Sequence, residues 1–140
     1  MSLKIAFAST DRRRIDQHFG AAEAFAVFEI SEDAARLVAV AEFIETAMDG
    51  HEGKLAGKIA LLDGVAAVYC NAVGSSAVQQ LLAKGIQPVK VDEGTVIEAV
   101  LVDLRASLLF DPPAWMAKHL KRQRTDGSRF AAMAEEGWDE

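Results

Sequence analysis

The stretch Val65-Ala66-Ala67-Val68-Tyr69, VAAVY, decides the fold. It is apolar without polar alternation, and it stands between Gly64 and Asn71 with Cys70 following it. So short and uniform a run reads as a strand buried on both faces, the situation of strands in parallel sheets. Its flanks support that reading. Upstream, Leu55, Ile59 and Leu62 recur at helical spacing between Glu52 and Leu62, and Asp63-Gly64 stops the helix. Downstream, GSSAVQQLLAK (74–84) offers Ser75 or Ser76 as N-cap, Leu81 and Leu82 as inward residues and Gly85 as terminator. A helix on each side of a buried strand is a crossover pattern.

Working outward, LKIAFA (3–8) alternates Leu3, Ile5 and Phe7 with smaller or polar residues, as a strand entering a core does. AEAFAVFEI (22–30) and ARLVAVAEF (35–43) are two more strands, joined as an antiparallel hairpin across Ser31-Glu32-Asp33. QPVKV (87–91) is a brief strand. Thr95 and Glu98 make a capping box for a last helix with Ile97, Val100, Leu101, Leu104 and Leu108 on one face. The order β, β, β, α, β, α, β, α predicts a single mixed five-stranded α/β sheet flanked by helices on both faces. Pro112 and Pro113 end that helix, so the expected organisation is an α/β domain over 1–110 and a helical or partly disordered tail over 111–140.

At 140 residues and 51% hydrophobic content, the chain is long enough for one real core. A formal net charge of −6 disfavours nucleic acid, whose phosphates need a basic stripe. MSLKIAFAST lacks the form of a secretory leader, and no apolar stretch reaches bilayer-spanning length, so a cytoplasmic protein without membrane association is expected. The single cysteine excludes an internal disulfide framework and a four-thiolate cluster site.

If the first strand and VAAVY are parallel neighbours, the stretches 9–20 and 70–76 leave the same carboxyl edge of the sheet, where ligands bind in open α/β folds. His18 and Cys70 would then face one crevice. Gly74, Ser75 and Ser76 would bring free N–H groups and the positive end of a helix to it, with Arg12, Arg13 and Arg14 as cations on the same rim. Each feature also has a plainer explanation. A loop histidine is more often a hydrogen-bonded surface residue, and a cysteine after a buried strand is more often a packing group. The arginines fit a solvated turn and Gly74-Ser75-Ser76 fits simple capping, since the lysine of a P-loop is missing. His51 and His119 lack partners at metal-ligand spacing and are expected on the surface.

RIDQHFGAAEAFAVFEI (14–30) and HEGKLAGKIALLDGVAAVYCNAVGSSAVQQLLAKGIQPVKV (51–91) resemble the nitrogenase iron–molybdenum cofactor biosynthesis family, which spans NifX, NafY and the C-terminal domain of NifB. The likeness covers most of residues 3–108, and DQHFG and AVYCNAVGSSA carry it most specifically; RFAAMAEEGW (129–138) shares it. It implies a ribonuclease H-like sheet with one antiparallel strand. It also implies a non-enzymatic carrier that binds an iron–sulfur precursor of the cofactor, NifB-co or a later one. The partners implied are NifB, the NifEN scaffold and apo-dinitrogenase. By the same resemblance His18 is the cluster ligand and Cys70 a second candidate. Asp16 would orient the imidazole, Gly20 would let the backbone pass close beneath the cluster, and Gln17, Phe19 and Asn71 complete the two motifs. Arg12 to Arg14 and the amides of Gly74 to Ser76 would balance the cluster's charge. A carrier must release its cargo, which suits a scarcity of thiolates. Two other readings stand beside it: a small enzyme using Cys70 and His18, and a pure interaction module docking through its tail.

Overall fold

The computed structural model describes residues 2–43 and 51–121, and over 51–54 only the backbone. The first strand, β1 (Leu3–Ala8), leads through a two-residue strand β2 (Arg14–Ile15) and a 3-10 turn at Phe19–Ala21 to the hairpin β3 (Ala24–Ile30) and β4 (Ala35–Glu42). Then come α1 (His51–Leu61), β5 (Ala67–Cys70), α2 (Ser75–Ala83), β6 (Gln87–Lys90), β7 (Thr95–Val96) and α3 (Ile97–Phe110). The sheet order is β4-β3-β1-β5-β6. β1 pairs parallel with β5 (Ile5↔Ala67, Phe7↔Tyr69) and β5 parallel with β6, while β3 runs antiparallel to both β1 and β4. One strand of five is therefore reversed, as expected.

All four β5 residues are buried, because the sheet carries a core on each face. On one face Ala6, Ala8, Val68 and Cys70 meet Phe19, Phe25, Ile59, Leu62 and Leu81 beneath α1 and α2. On the other, Leu3, Ile5, Phe7, Ala67 and Tyr69 meet Ile97, Leu101 and Leu104 of α3. The period-2 alternation of β1 sends its large residues to the α3 side and its alanines to the α1/α2 side, where two phenylalanines fill the space. Burying a side chain such as Ile5 or Phe7 contributes about 1.5–3 kcal/mol each.

Beyond the carboxyl edge of the sheet the two connections are joined through their backbones. Asn71 N–H donates to the Gln17 carbonyl (2.9 Å), and Phe19 N–H donates to the Ala72 carbonyl (2.8 Å). The buried Asn71 side chain donates through Nδ2 to the carbonyls of Ile15 (3.0 Å) and Val91 (3.2 Å). β2 and β7 form a second, two-stranded ladder, which no sequence alternation announces because each strand is two residues long.

Several local expectations are corrected. α2 is capped by Gly74 without a side-chain bond, and Ser76 Oγ accepts instead from Gln80 Nε2. The capping box of α3 is not formed: Val96 is the N-cap, and Thr95 is drawn into the ladder with its Oγ1 on the Asp92 carbonyl. Leu81 is fully buried but Leu82 is 52% exposed, since successive helix positions cannot both face the sheet. Past the prolines, residues 114–121 are helical, and Met116 and Leu120 are buried in the α3-side core. The remainder of the expected tail, 122–140, lies outside the described residues.

Two outcomes follow from this packing. Leu81→Ala should cost about 2–5 kcal/mol and Leu82→Ala less than about 1 kcal/mol in urea unfolding; equal effects would contradict the assigned helix face. Asn71→Ala removes the side-chain donor shared by the Ile15 and Val91 carbonyls, of which Ile15 keeps the Gly94 N–H, and should cost about 1–3 kcal/mol by the same measurement; a neutral substitution would mean that the Asn71 side chain does not stabilise the joined loops.

Candidate functional site

The expected convergence of the two connections occurs, but it does not place all the expected residues together. His18 is exposed, and its imidazole has no hydrogen-bond partner among the described residues. Its neighbours are all committed. Asp16 accepts from Thr10 N–H (3.0 Å) through Oδ1 and from the Thr10 hydroxyl through Oδ2. Gln17 Oε1 accepts from Glu23 N–H (3.0 Å). Phe19 is fully buried against Phe25, with ring centroids 5.6 Å apart. Asp16 is thus bound to Thr10 rather than to the imidazole it was expected to orient. Phe19 serves as an anchor, so its backbone, not its ring, belongs to the surface. What remains displayed at the tip of the run is His18, held between two tethered residues.

Gly20 was expected to permit a close approach. Open space surrounds its missing Cβ and its φ is not in the left-handed region, so conformation does not require glycine there. Its carbonyl accepts from Lys58 Nζ. Lys58 is itself 5% exposed and sits over the Phe43 ring, 5.1 Å from its centroid. Sequence reasoning passed over Lys58. The signal was present, since Lys58 lies three residues after Leu55 and beside Ile59 on the apolar stripe of α1.

Cys70 does not share a crevice with His18. It is fully buried in the α1/α2-side core, with Sγ 3.9 Å from the Val89 carbonyl. Burial pushes its thiol up to about 11, against a smaller opposing pull from the amides of Ala72 and Phe19. The sulfur therefore lies under the joined loops as a neutral packing group. Asn71 is likewise structural, with its side chain bound to two carbonyls.

The arginines are on the wrong side of the sheet for the expected rim. Arg12, Arg13 and Arg14 line a groove of about 570 Å³ with Phe28, Ile97 and Leu101, on the α3 face. Gly74 to Ser76 begin α2, which covers the other face. The arginine turn is built by Asp11, whose Oδ1 accepts from Arg13 N–H (2.8 Å) and Arg14 N–H (2.9 Å), and those amides hold its carboxyl below the usual range. Arg12 takes a left-handed φ of 65°. Gly74, Ser75 and Ser76 are exposed, and the first helical bond runs from Val78 N–H to the Gly74 carbonyl, leaving the earlier amides of α2 without helical acceptors.

His119, expected on the surface, is half-buried with Nε2 2.9 Å from the Gly85 carbonyl; the side chain of His51 lies outside the described residues. Among the described residues no three His, Cys, Asp or Glu side chains are grouped to hold a metal ion. Nor, among them, is any helix long and apolar enough to cross a membrane.

The edge of the sheet thus presents one imidazole on a tethered turn beside the start of α2. A family model described as dinitrogenase iron-molybdenum cofactor matches residues 1–107. The chain is 52% identical over 139 residues to Protein NifX of Azotobacter vinelandii, covering 99% of this chain and 88% of that one. It is 34% identical over 109 residues to the FeMo cofactor biosynthesis protein NifB of Sinorhizobium fredii (strain NBRC 101917 / NGR234), covering 76% of this chain and 22% of that protein. The crystal structure of PH0822 superposes with a TM-score of 0.57 at 23% identity, over 75% of this chain and 91% of that one, a likeness of fold alone. The chain therefore belongs to the dinitrogenase iron-molybdenum cofactor family of nitrogen fixation, with NifX among its relatives.

Proposed function

We propose that the protein is a non-enzymatic carrier in the cytoplasm. It binds an iron–sulfur precursor of the iron–molybdenum cofactor, NifB-co or a later one, and passes it from NifB to the NifEN scaffold, with apo-dinitrogenase as a further partner. Family membership supports the cargo class. The observation that carries the binding site is the exposed, unpartnered imidazole of His18 between the tethered Gln17 and Phe19. An imidazole is a good ligand for iron, and a backbone tethered on both sides of it reduces the freedom lost on binding. A single protein ligand also lets cargo leave, whereas a permanent cluster would call for about four thiolates.

Charge supports the same seat. Ala72 accepts the Phe19 amide and is followed closely by the α2 N-terminus, so the amides after Gly74 that lack helical acceptors lie on the connection joined to the His18 turn. They and the positive end of the α2 dipole favour an anionic cluster there. On this reading Arg12 to Arg14 do not touch the cargo, and Cys70 supports the turn from below rather than ligating. The one reversed strand, second in the sheet order counted from β1, is also the feature a ribonuclease H-like sheet requires. The enzyme alternative needs a nucleophilic Cys70, and a buried thiol pushed up to about 11 disfavours it.

Anaerobic gel filtration after mixing with isolated NifB-co, read by visible absorption and iron content, should give co-elution for the native chain and its loss for folded His18→Ala. Equal co-elution of both would remove His18 as ligand, and none for either would remove the carrier reading. The thiol gives a separate check. With Cys70 raised from its ordinary 9.0 to about 11, both folded and unfolded states keep the proton below about pH 9, and between about 9 and 11 the unfolded chain ionises first. The stability Cys70 contributes is thus lost as pH rises through that window. The stability difference between the native chain and Cys70→Ala should shrink from about pH 8 to about pH 10.5 in urea unfolding; a difference independent of pH would place the sulfur in water.

A further inference from the structure

We infer that Lys58 is a positioning residue for His18, an inference that rests on the carrier reading for its consequence but not for its geometry. The 3-10 turn Phe19–Ala21 is held by weak internal bonds, Ala21 N–H to the His18 carbonyl and Ala22 N–H to the Phe19 carbonyl, both 3.2 Å. Its first residue is anchored twice, by the buried Phe19 ring and by the Ala72 carbonyl. Its second residue is exposed glycine, with no side chain to anchor and no backbone conformation that demands glycine. The tether at that point is Lys58 Nζ, which donates to the Gly20 carbonyl across 38 residues of sequence.

The lysine is unusually well placed for this work. Only 5% of it is exposed, so its ammonium has lost most of its water and depends on the groups around it. The Gly20 carbonyl offers a lone pair, and the Phe43 ring, 5.1 Å from Nζ, offers its π face. Phe43 in turn touches α1 at Gly57, where an added Cβ would come within 3.0 Å of Phe43 Cε2. The clamp therefore spans α1, the end of the β3–β4 hairpin and the turn. Phe19, fixed by its ring and its amide, and Gly20, held at its carbonyl by Lys58, together tie down the turn that follows His18.

Lys58→Met keeps the apolar stem and removes both donor and charge; Lys58→Arg keeps both. Amide hydrogen exchange of the full chain reads the turn without any cargo. In Lys58→Met the Ala21 and Ala22 amides should exchange about tenfold faster or more while Ile5 and Phe7 in β1 stay unchanged, and Lys58→Arg should restore most of the protection. NifB-co affinity by anaerobic titration should fall about 10- to 100-fold in Lys58→Met, as for loss of a group that orients a ligand, and recover in Lys58→Arg. If Lys58→Met does not fold, Phe43→Leu loosens the clamp while leaving the donor, and should raise exchange at Ala21 and Ala22 by a smaller factor. Unchanged exchange at these two amides in the folded variants, or a uniform rise that includes β1, overturns the clamp. Faster exchange at the turn with unchanged NifB-co affinity leaves the clamp standing and overturns its link to His18.

Discussion

The parallel pairing of β1 with β5 is the constraint on which the rest of the molecule depends. Three register pairs, Ile5↔Ala67, Ala6↔Val68 and Phe7↔Tyr69, align two strands whose carboxyl ends point the same way. Because the paired residues of both strands are all buried, the pairing is sealed by two cores at once. A one-residue slip would exchange the faces, sending Phe7 into the space filled around Ala6 and Ala8 and leaving α3 over alanines. Register is therefore set by side-chain volume as much as by hydrogen bonds.

From that pairing comes the geometry of the edge. Two connections leave side by side, and their backbone polar groups must find partners once water is excluded. They find one another: Asn71 with Gln17, Phe19 with Ala72, and the Asn71 side chain with Ile15 and Val91. The consequence is selective display. In the run Asp16 to Phe19 every side chain but one is bound to protein or buried, and the remaining one is an imidazole. What this edge displays is thus one exposed imidazole beside a helix start.

Much of this was legible in the residues. Uniform apolarity at 65–69 marked the doubly buried strand, alternation marked β1, and Gly64 and Gly85 marked helix ends with the left-handed φ values they adopt, 88° and 77°. The convergence of the two loops followed from strand direction alone. What misled was local chemistry overridden by tertiary bonds: Thr95 offered a cap but was taken by a two-residue ladder, and Asp16 sits two residues from His18 yet binds Thr10. Cys70, expected to face a crevice with His18, lies instead on the face of Val68 and in the core, where period-2 alternation along β5 puts it. Lys58 went unread because a lysine on an apolar stripe looks like solvent-facing charge until the Gly20 carbonyl and Phe43 ring are seen around it.

The claim that His18 is the point of contact with cargo can be tested at the nitrogen itself. The chain has three histidines, so the imidazole signals of a ¹⁵N-histidine-labelled sample are few enough to assign by substitution. On anaerobic addition of NifB-co, the ring resonances of His18 should shift or broaden beyond detection while those of His51 and His119 hold their positions. An unchanged His18 spectrum with bound cluster present, or changes confined to another histidine, would contradict the account.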